Sequence, residues 1–284
     1  MSTLSDINRQ VTAMNTITEL SGVFEGIASL RIAQTKSQVL SSQAFFEELW
    51  QIYSQLRVGG VFRFGRGQQT ENIIGKELLI AVTAEGGLSG DIDEKLINWL
   101  LKNHDPKKQD IVVIGRHGAL KLGQAGAQFK KYFKLPLGDQ NINVSPLIEE
   151  VQRYQTTTVY YQTYVSLMVQ DIKRIELGKA VAERGNRAEE TSQIISEETY
   201  IFEPSAYAVA SHLERSMLQI TLSQVILESK LAQYASRFRA MSASHERAED
   251  QLASLNLIFQ RSRRALKDER LKEIINGLRK TERL

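Results

Sequence analysis

Between Pro204 and Gly277 the chain has neither a proline nor a glycine, and that run constrains the fold more than any other feature. Stepping alternately by four and three residues from Leu213 visits Met217, Ile220, Gln224, Leu227, Leu231, Tyr234, Phe238, Met241, His245, Ala248, Leu252, Leu255, Phe259, Ser262 and Leu266. Only Gln224, His245 and Ser262 on that ladder are polar. A strict seven-residue repeat keeps one stripe against a partner helix while both supercoil, so the ladder predicts a coiled coil. Pro204 suits the first turn. At about 1.5 Å per residue the helix would be on the order of 110 Å long, several times the width of a small domain.

A partner is available within the chain. The first fifty residues lack proline and have glycine only at 22 and 26. Ile7, Val11, Met14, Ile17, Ser21, Phe24, Ala28 and Arg31 follow a three-or-four spacing, with Ser5 as a candidate cap. The pattern stops at "RVGGVFRFGRGQQT" (57–70), which holds four glycines. If the two helices pair antiparallel from a common base, partner numbers add to roughly 263. Phe24 then lies near Arg239 as a core residue, and Ile7 near Asn256. The second helix continues past the first, still carrying Phe259, Leu266, Leu271, Ile274, Ile275 and Leu278. From Arg261 to Leu284 there are nine Lys or Arg residues against four Asp or Glu, within a net charge of only +3. A helix end projecting into water is marginal on propensity alone, so something outside the chain should bury this one. It has too few aromatics for a single-strand nucleic-acid platform, and no nucleic-acid partner is expected.

The middle differs in texture. Strand-like runs occur at 77–84, 110–115, 156–177 and 198–202, with helical stretches near 90–103, 118–130 and 145–152. Strand–helix alternation predicts an α/β fold with a mostly parallel sheet, and the later strand-rich run adds an antiparallel or edge pair. The polar 180–192 segment reads as a loop. The expected architecture is therefore a small α/β domain (58–203) inserted between two long terminal helices (1–57 and 204–284) that form an antiparallel coiled coil.

The stretch "ELLIAVTAEGGLSGDIDEKLINWLL" (77–101) has the strand, glycine turn and helix of a phosphate loop. Its chemistry opposes that use. A phosphate loop needs free backbone N–H groups, a lysine and a hydroxyl, whereas Gly86, Gly87 and Gly90 are followed by Asp91, Asp93 and Glu94. Those carboxylates favour the positive end of a helix and repel a triphosphate. A structural turn is expected, with no cofactor and no catalytic residue. There is no cysteine, and His104, His117, His212 and His245 are too scattered to suggest a metal site. No membrane span or secretory signal is evident.

Four stretches, in order, resemble the gamma subunit of F-type ATP synthases. "MNTITELSGVFEGIASLRIAQ" (14–34) resembles the family's N-terminal segment, with its Asn-Thr pair. "TAEGGLSGDID" (83–93) stands where the family has a glycine turn after its first strand. The stretch from Tyr200 to Ser244 carries a Glu-Pro pair and an Ala-x-Arg-x-x-Ala-Met-like run near Ala235–Met241. "LNLIFQRSRRALKDERLKEIING" (255–277) is similar to the end of the family's shaft. The resemblance implies a non-catalytic rotor whose coiled coil lies in a hexamer of alpha and beta subunits. It also implies an α/β domain beside an epsilon subunit on the membrane c-ring. The protein would then sit peripherally on the cytoplasmic (or matrix- or stromal-equivalent) face of an energy-converting membrane, with the bacterial plasma membrane expected. Phe24 stands where the family usually has methionine, Arg264 replaces a glutamine after Arg263, Asp268 a threonine and Arg270 a glutamate. These five are the candidate contact residues of the shaft. Two other readings stay open: a coiled-coil scaffold, which would co-purify with a helical partner, and a nucleotide-binding α/β protein with a helical stalk, which a nucleotide would stabilise.

Overall fold

The computed structural model describes residues 4–55, 74–136, 138, 142–180, 201 and 203–281. Two long helices, α1 (Leu4–Gln55) and α5 (Ala206–Thr281), flank an α/β core. Ser5 lies inside α1 rather than capping it. In chain order the core runs β1 (Ile74–Val82), α2 (Ile92–Lys102), β2 (Gln109–Ile114), α3 (Arg116–Gln124), β3 (Lys131–Phe133), α4 (Ser145–Val151), β4 (Tyr154–Tyr164) and β5 (Gln170–Glu176). The sheet order is β3-β2-β1-β4-β5. Every neighbouring pair is parallel except β4 with β5, as the alternation of elements predicts.

The apolar runs of β1 and β2 are continuous because both faces of the sheet are covered. Leu78, Ile80, Val82, Val112, Ile114, Val159 and Tyr161 pack with Leu147 and Ile148 of α4 and with Leu222, Val225 and Ile226 of α5. On the other face Leu79, Ala81, Ile111, Val113 and Tyr160 meet Leu96, Ile97 and Leu100 of α2 and Leu122 of α3. Strand β3 is unexpected. It is three residues of charged and aromatic edge, too short for an alternation to register. Helix α3 is shorter than the 118–130 pattern, and the chain turns just beyond it at Gly126, whose φ of 71° suits glycine. The 57–70 and 181–192 segments lie outside the described residues, as does most of the expected 198–202 strand.

By compactness the chain divides into two units, one of residues up to Ile27 with those from Phe238, the other Ala28–Arg237. Each contains paired stretches of α1 and α5. In the first, His245 Nδ1–H donates to the Thr18 carbonyl at 2.9 Å. In the second, Phe46 and Met217 are buried together, flanked by Leu49, Leu218 and Ile220. Both pairs add to 263, the figure the antiparallel reading predicts.

The α1 seam itself needs correction. The residues turned inward are Ile7, Val11, Met14, Thr18, Ser21, Glu25, Ala28, Ile32, Thr35, Val39, Ser42, Phe46 and Leu49, each buried or half-buried. Their steps alternate four and three without exception. Phe24 is not among them. It is 37% exposed, as are Ile17, Leu20, Val23, Ile27 and Leu30 to a greater degree. A trace by apolarity takes two three-residue steps in succession, from Val11 to Ile17, because Ile17 is more apolar than Thr18. That moves Ile17, Phe24 and Arg31 one residue off a seam held by the seven-residue repeat.

Candidate functional site

The expected contact residues near the C-terminus all lie on the last third of α5. Arg263, Arg264, Asp268 and Arg270 are exposed. Helical geometry sorts them, because residues three and four apart share a face. Arg263 and Arg270 share a stripe with Lys267, whereas Asp268 lies one turn from Arg264. Leu271, Ile274, Ile275 and Leu278 are exposed as well. A pairing that adds to 263 places residue 259 beside Leu4, so α5 outruns the described part of α1 by about six turns. The inward ladder agrees: Leu252, Leu255, Phe259 and Ser262 are half-buried, and Leu266 is exposed. Phe24 belongs to a different surface, the outward apolar stripe of α1.

The glycine turn after β1 is built as a joint. Gly90 has φ 64° and Leu88, a non-glycine, φ 67°. The turn presents carbonyl oxygens to α5: Ser236 Oγ donates to the Ser89 carbonyl at 2.7 Å, and Arg237 Nη2 donates to Ser89 Oγ at 3.2 Å and to the Gly87 carbonyl at 3.3 Å. A phosphate cradle would direct N–H groups to its ligand. Here the Ala84 N–H is already taken, since it donates to Asp93 at 3.3 Å. Asp93, expected to complement the start of α2, is instead 1% exposed. Its carboxylate also accepts from Gln162 Nε2 at 2.7 Å and from His117 Nδ1 at 2.7 Å. Gln162 Oε1 in turn accepts from Ser229 Oγ and from Gln233 Nε2 of α5. Sequence reasoning missed this network, whose directly bonded partners lie up to 71 residues apart; the one available signal was a polar patch, Ser229 to Gln233, on a helix face otherwise apolar.

The bond from Asp93 raises the pKa of His117 above its usual 6.5, with burial opposing. A raised histidine pKa gives stability that is fully present below the unfolded value and lost as pH rises through the folded one. Thermal unfolding of the parent should therefore fall in temperature as pH is raised from about 6.5. His117→Gln should flatten that part of the profile, and an unchanged slope would remove the pair from the pH response. Among the described residues no group of His, Asp and Glu is arranged to hold a metal, and no helix is long and apolar enough to cross a membrane.

The ATP synthase family model matches residues 3–279. The chain is 20% identical over 292 residues to the ATP synthase gamma chain of Cytophaga hutchinsonii, covering 98% of each chain. It is 23% identical over 288 residues to that of Pelotomaculum thermopropionicum, again covering 98% of each. Among solved structures, a chain of the Euglena gracilis mitochondrial ATP synthase (OSCP/F1/c-ring) is similar with a TM-score of 0.65 at 12% identity, over 96% of this chain and 94% of that one. A chain from the central stalk and c-ring of the Tetrahymena thermophila mitochondrial enzyme gives a TM-score of 0.56 at 13% identity, over 79% and 98%. These two likenesses concern the fold. With the family model spanning nearly the whole sequence, the chain belongs to the ATP synthase gamma chain family, the non-catalytic subunit that forms the central rotor stalk of the F-type enzyme.

Proposed function

We propose that the paired ends of α1 and α5 turn within a sleeve of alternating alpha and beta subunits. The α/β domain, with an epsilon subunit, rests on a membrane c-ring. The assembly would lie at the cytoplasmic face of an energy-converting membrane, as befits a chain similar to bacterial gamma chains. The observation that carries this reading is the bare end of α5, which is basic on one stripe and apolar on another. Such a surface needs cover from outside the chain.

Two helices side by side are not circularly symmetric. In the unit that contains them, the apolar stripe of Ile17, Leu20, Phe24 and Ile27 and the basic stripe of Arg263, Lys267 and Arg270 are distinct surfaces. A sleeve of repeated subunits therefore meets a different face at each angle. Each subunit is stabilised in the conformation that fits the face it meets, which is a coupling free energy between the shaft angle and distant sites. Asp268, one turn from Arg264, tempers the charge on its side of the tip.

Arg263 and Arg264 are assigned to acidic groups of the sleeve. Each such charge-assisted contact contributes about 1.5–3 kcal/mol when desolvated and far less on a wet surface. Replacing both by alanine keeps helix propensity high. The complex should still assemble on gel filtration, while ATP-driven ion pumping per ATP hydrolysed falls by about twofold or more. Unchanged pumping with unchanged hydrolysis would reduce the pair to a solvated face.

A further inference from the structure

We infer that the buried hydrogen-bond network between the α/β domain and α5 fixes the rotational angle of α5, making Gln162, Ser229 and Gln233 positioning residues for coupling. The inference rests on the rotor reading above and concerns where torque crosses from the domain into the helix.

Along its contact with the domain, α5 changes character. Leu222, Val225 and Ile226 sit in the apolar core. One turn further on, beside Leu231, Ala232 and Ala235, the buried polar residues are Ser229, Lys230, Gln233 and Ser236. Every one of these polar residues is bonded to the domain. Ser229 Oγ and Gln233 Nε2 donate to Gln162 Oε1, and Gln162 is held from behind by its bond to Asp93. Lys230 Nζ donates to the carbonyls of Pro136 at 2.9 Å and Gly138 at 2.8 Å. Ser236 reaches the glycine turn through the Ser89 carbonyl. Thr163 Oγ1 donates to Glu228 Oε1 alongside.

Stability alone does not call for this composition. Buried polar groups cost free energy unless fully bonded, and well-packed apolar replacements are commonly as stable or more so. The difference lies in direction. Apolar contact is non-directional, so a helix resting on it rolls by exchanging one set of contacts for another. Hydrogen bonds fail with small changes in distance and angle. A roll of about 20° at a side-chain radius of roughly 5 Å moves a donor by nearly 2 Å, enough to break each bond. The acceptors lie on the turn after β1, on β4 and on the 136–138 segment, so a roll in either sense meets resistance. A shaft joined to its base through apolar packing alone would slip at this joint under load.

The test compares assembled complexes carrying Gln162→Leu, Ser229→Ala or Val225→Ala. The first severs the network at its centre, the second removes one donor, and the third weakens the adjacent apolar contact without touching the network. Ion pumping per ATP hydrolysed is read beside the thermal unfolding of each isolated chain. Gln162→Leu should lower pumping per ATP by about twofold or more with hydrolysis retained, and Ser229→Ala by less. Val225→Ala should lower the unfolding temperature and keep the parent ratio. The inference is overturned if Gln162→Leu keeps the parent ratio, if the ratio tracks unfolding temperature across all three, or if neither network variant assembles, since each outcome marks a purely structural role. A parent complex that itself pumps nothing would instead overturn the rotor reading on which the inference stands.

Discussion

Gly115→Val should abolish folding of the α/β domain. Gly115 lies where β2 gives way to α3, with φ at 97°, and a Cβ built there would sit 2.1 Å from the Thr83 carbonyl oxygen. The obstruction is backbone, and it is pinned. Thr83 N–H donates to the Ile114 carbonyl at 2.8 Å, and Gly115 N–H donates to the Phe133 carbonyl at 2.9 Å. Thr83 Oγ1 donates to the Ile114 carbonyl and accepts from Gly118 N–H at 3.0 Å. Gly118 is therefore required as well, since a Cβ there would meet Thr83 Oγ1 at 2.4 Å. Positive φ alone costs a β-carbon residue about 1–2 kcal/mol. Separating the ends of β1 and β2 raises the total beyond about 4–5 kcal/mol, against a domain stability of roughly 5–15. The expected result is loss of the soluble chain, or a soluble chain without a cooperative thermal transition. Gly123→Ala, with open space at its Cβ, is the control and should unfold at or above the parent temperature. Cooperative unfolding of Gly115→Val near the parent temperature would mean that the β1–β2 crossing is wrong.

The two glycines show what the sequence made legible and what it did not. "DIVVIG" reads as a buried strand closing on glycine, but nothing local says that Gly115 and Gly118 enclose the threonine just past the end of another strand. The α5 ladder was legible because a seam of one period over a long helix is a redundant signal. From Leu213 to Ser262 each of its residues is buried or half-buried. The parallel sheet was legible from element order. The exposed tip was legible as an arithmetic consequence of two unequal helices. The Asp93 network was not legible. Its members are ordinary polar residues on α2, α3, β4 and α5 that acquire meaning only when the fold brings them together, and Asp93 by sequence looks like one of several acids at a helix start.

The α1 seam was half legible, and the remaining prediction separates the two readings of it. Phe46→Ala should cost about 3–5 kcal/mol, the usual range for emptying a buried phenylalanine site. Phe24→Ala should change the stability of the isolated chain by no more than about 0.5 kcal/mol, as befits a surface position. Phe46 is 3% exposed against Met217 at 0%, while Phe24 is 37% exposed. Pairing by a sum of 263 also sets Ala28 level with Ala235, both buried, so small residues meet small where large ones on both helices would collide. Small and polar residues at Thr18, Ser21, Glu25 and Ala28 leave this part of the seam with little apolar surface, and its hold on α5 draws on the larger contact at Phe46. Emptying that site should therefore loosen α1 beyond its own turn. Denaturant unfolding gives the two costs, and amide exchange along α1 shows how far the loosening spreads. If Phe24→Ala proves as costly as Phe46→Ala, the helix is rotated by one residue from the seam that runs through Thr18, Glu25 and Phe46, and its outward apolar stripe is core instead of exposed surface.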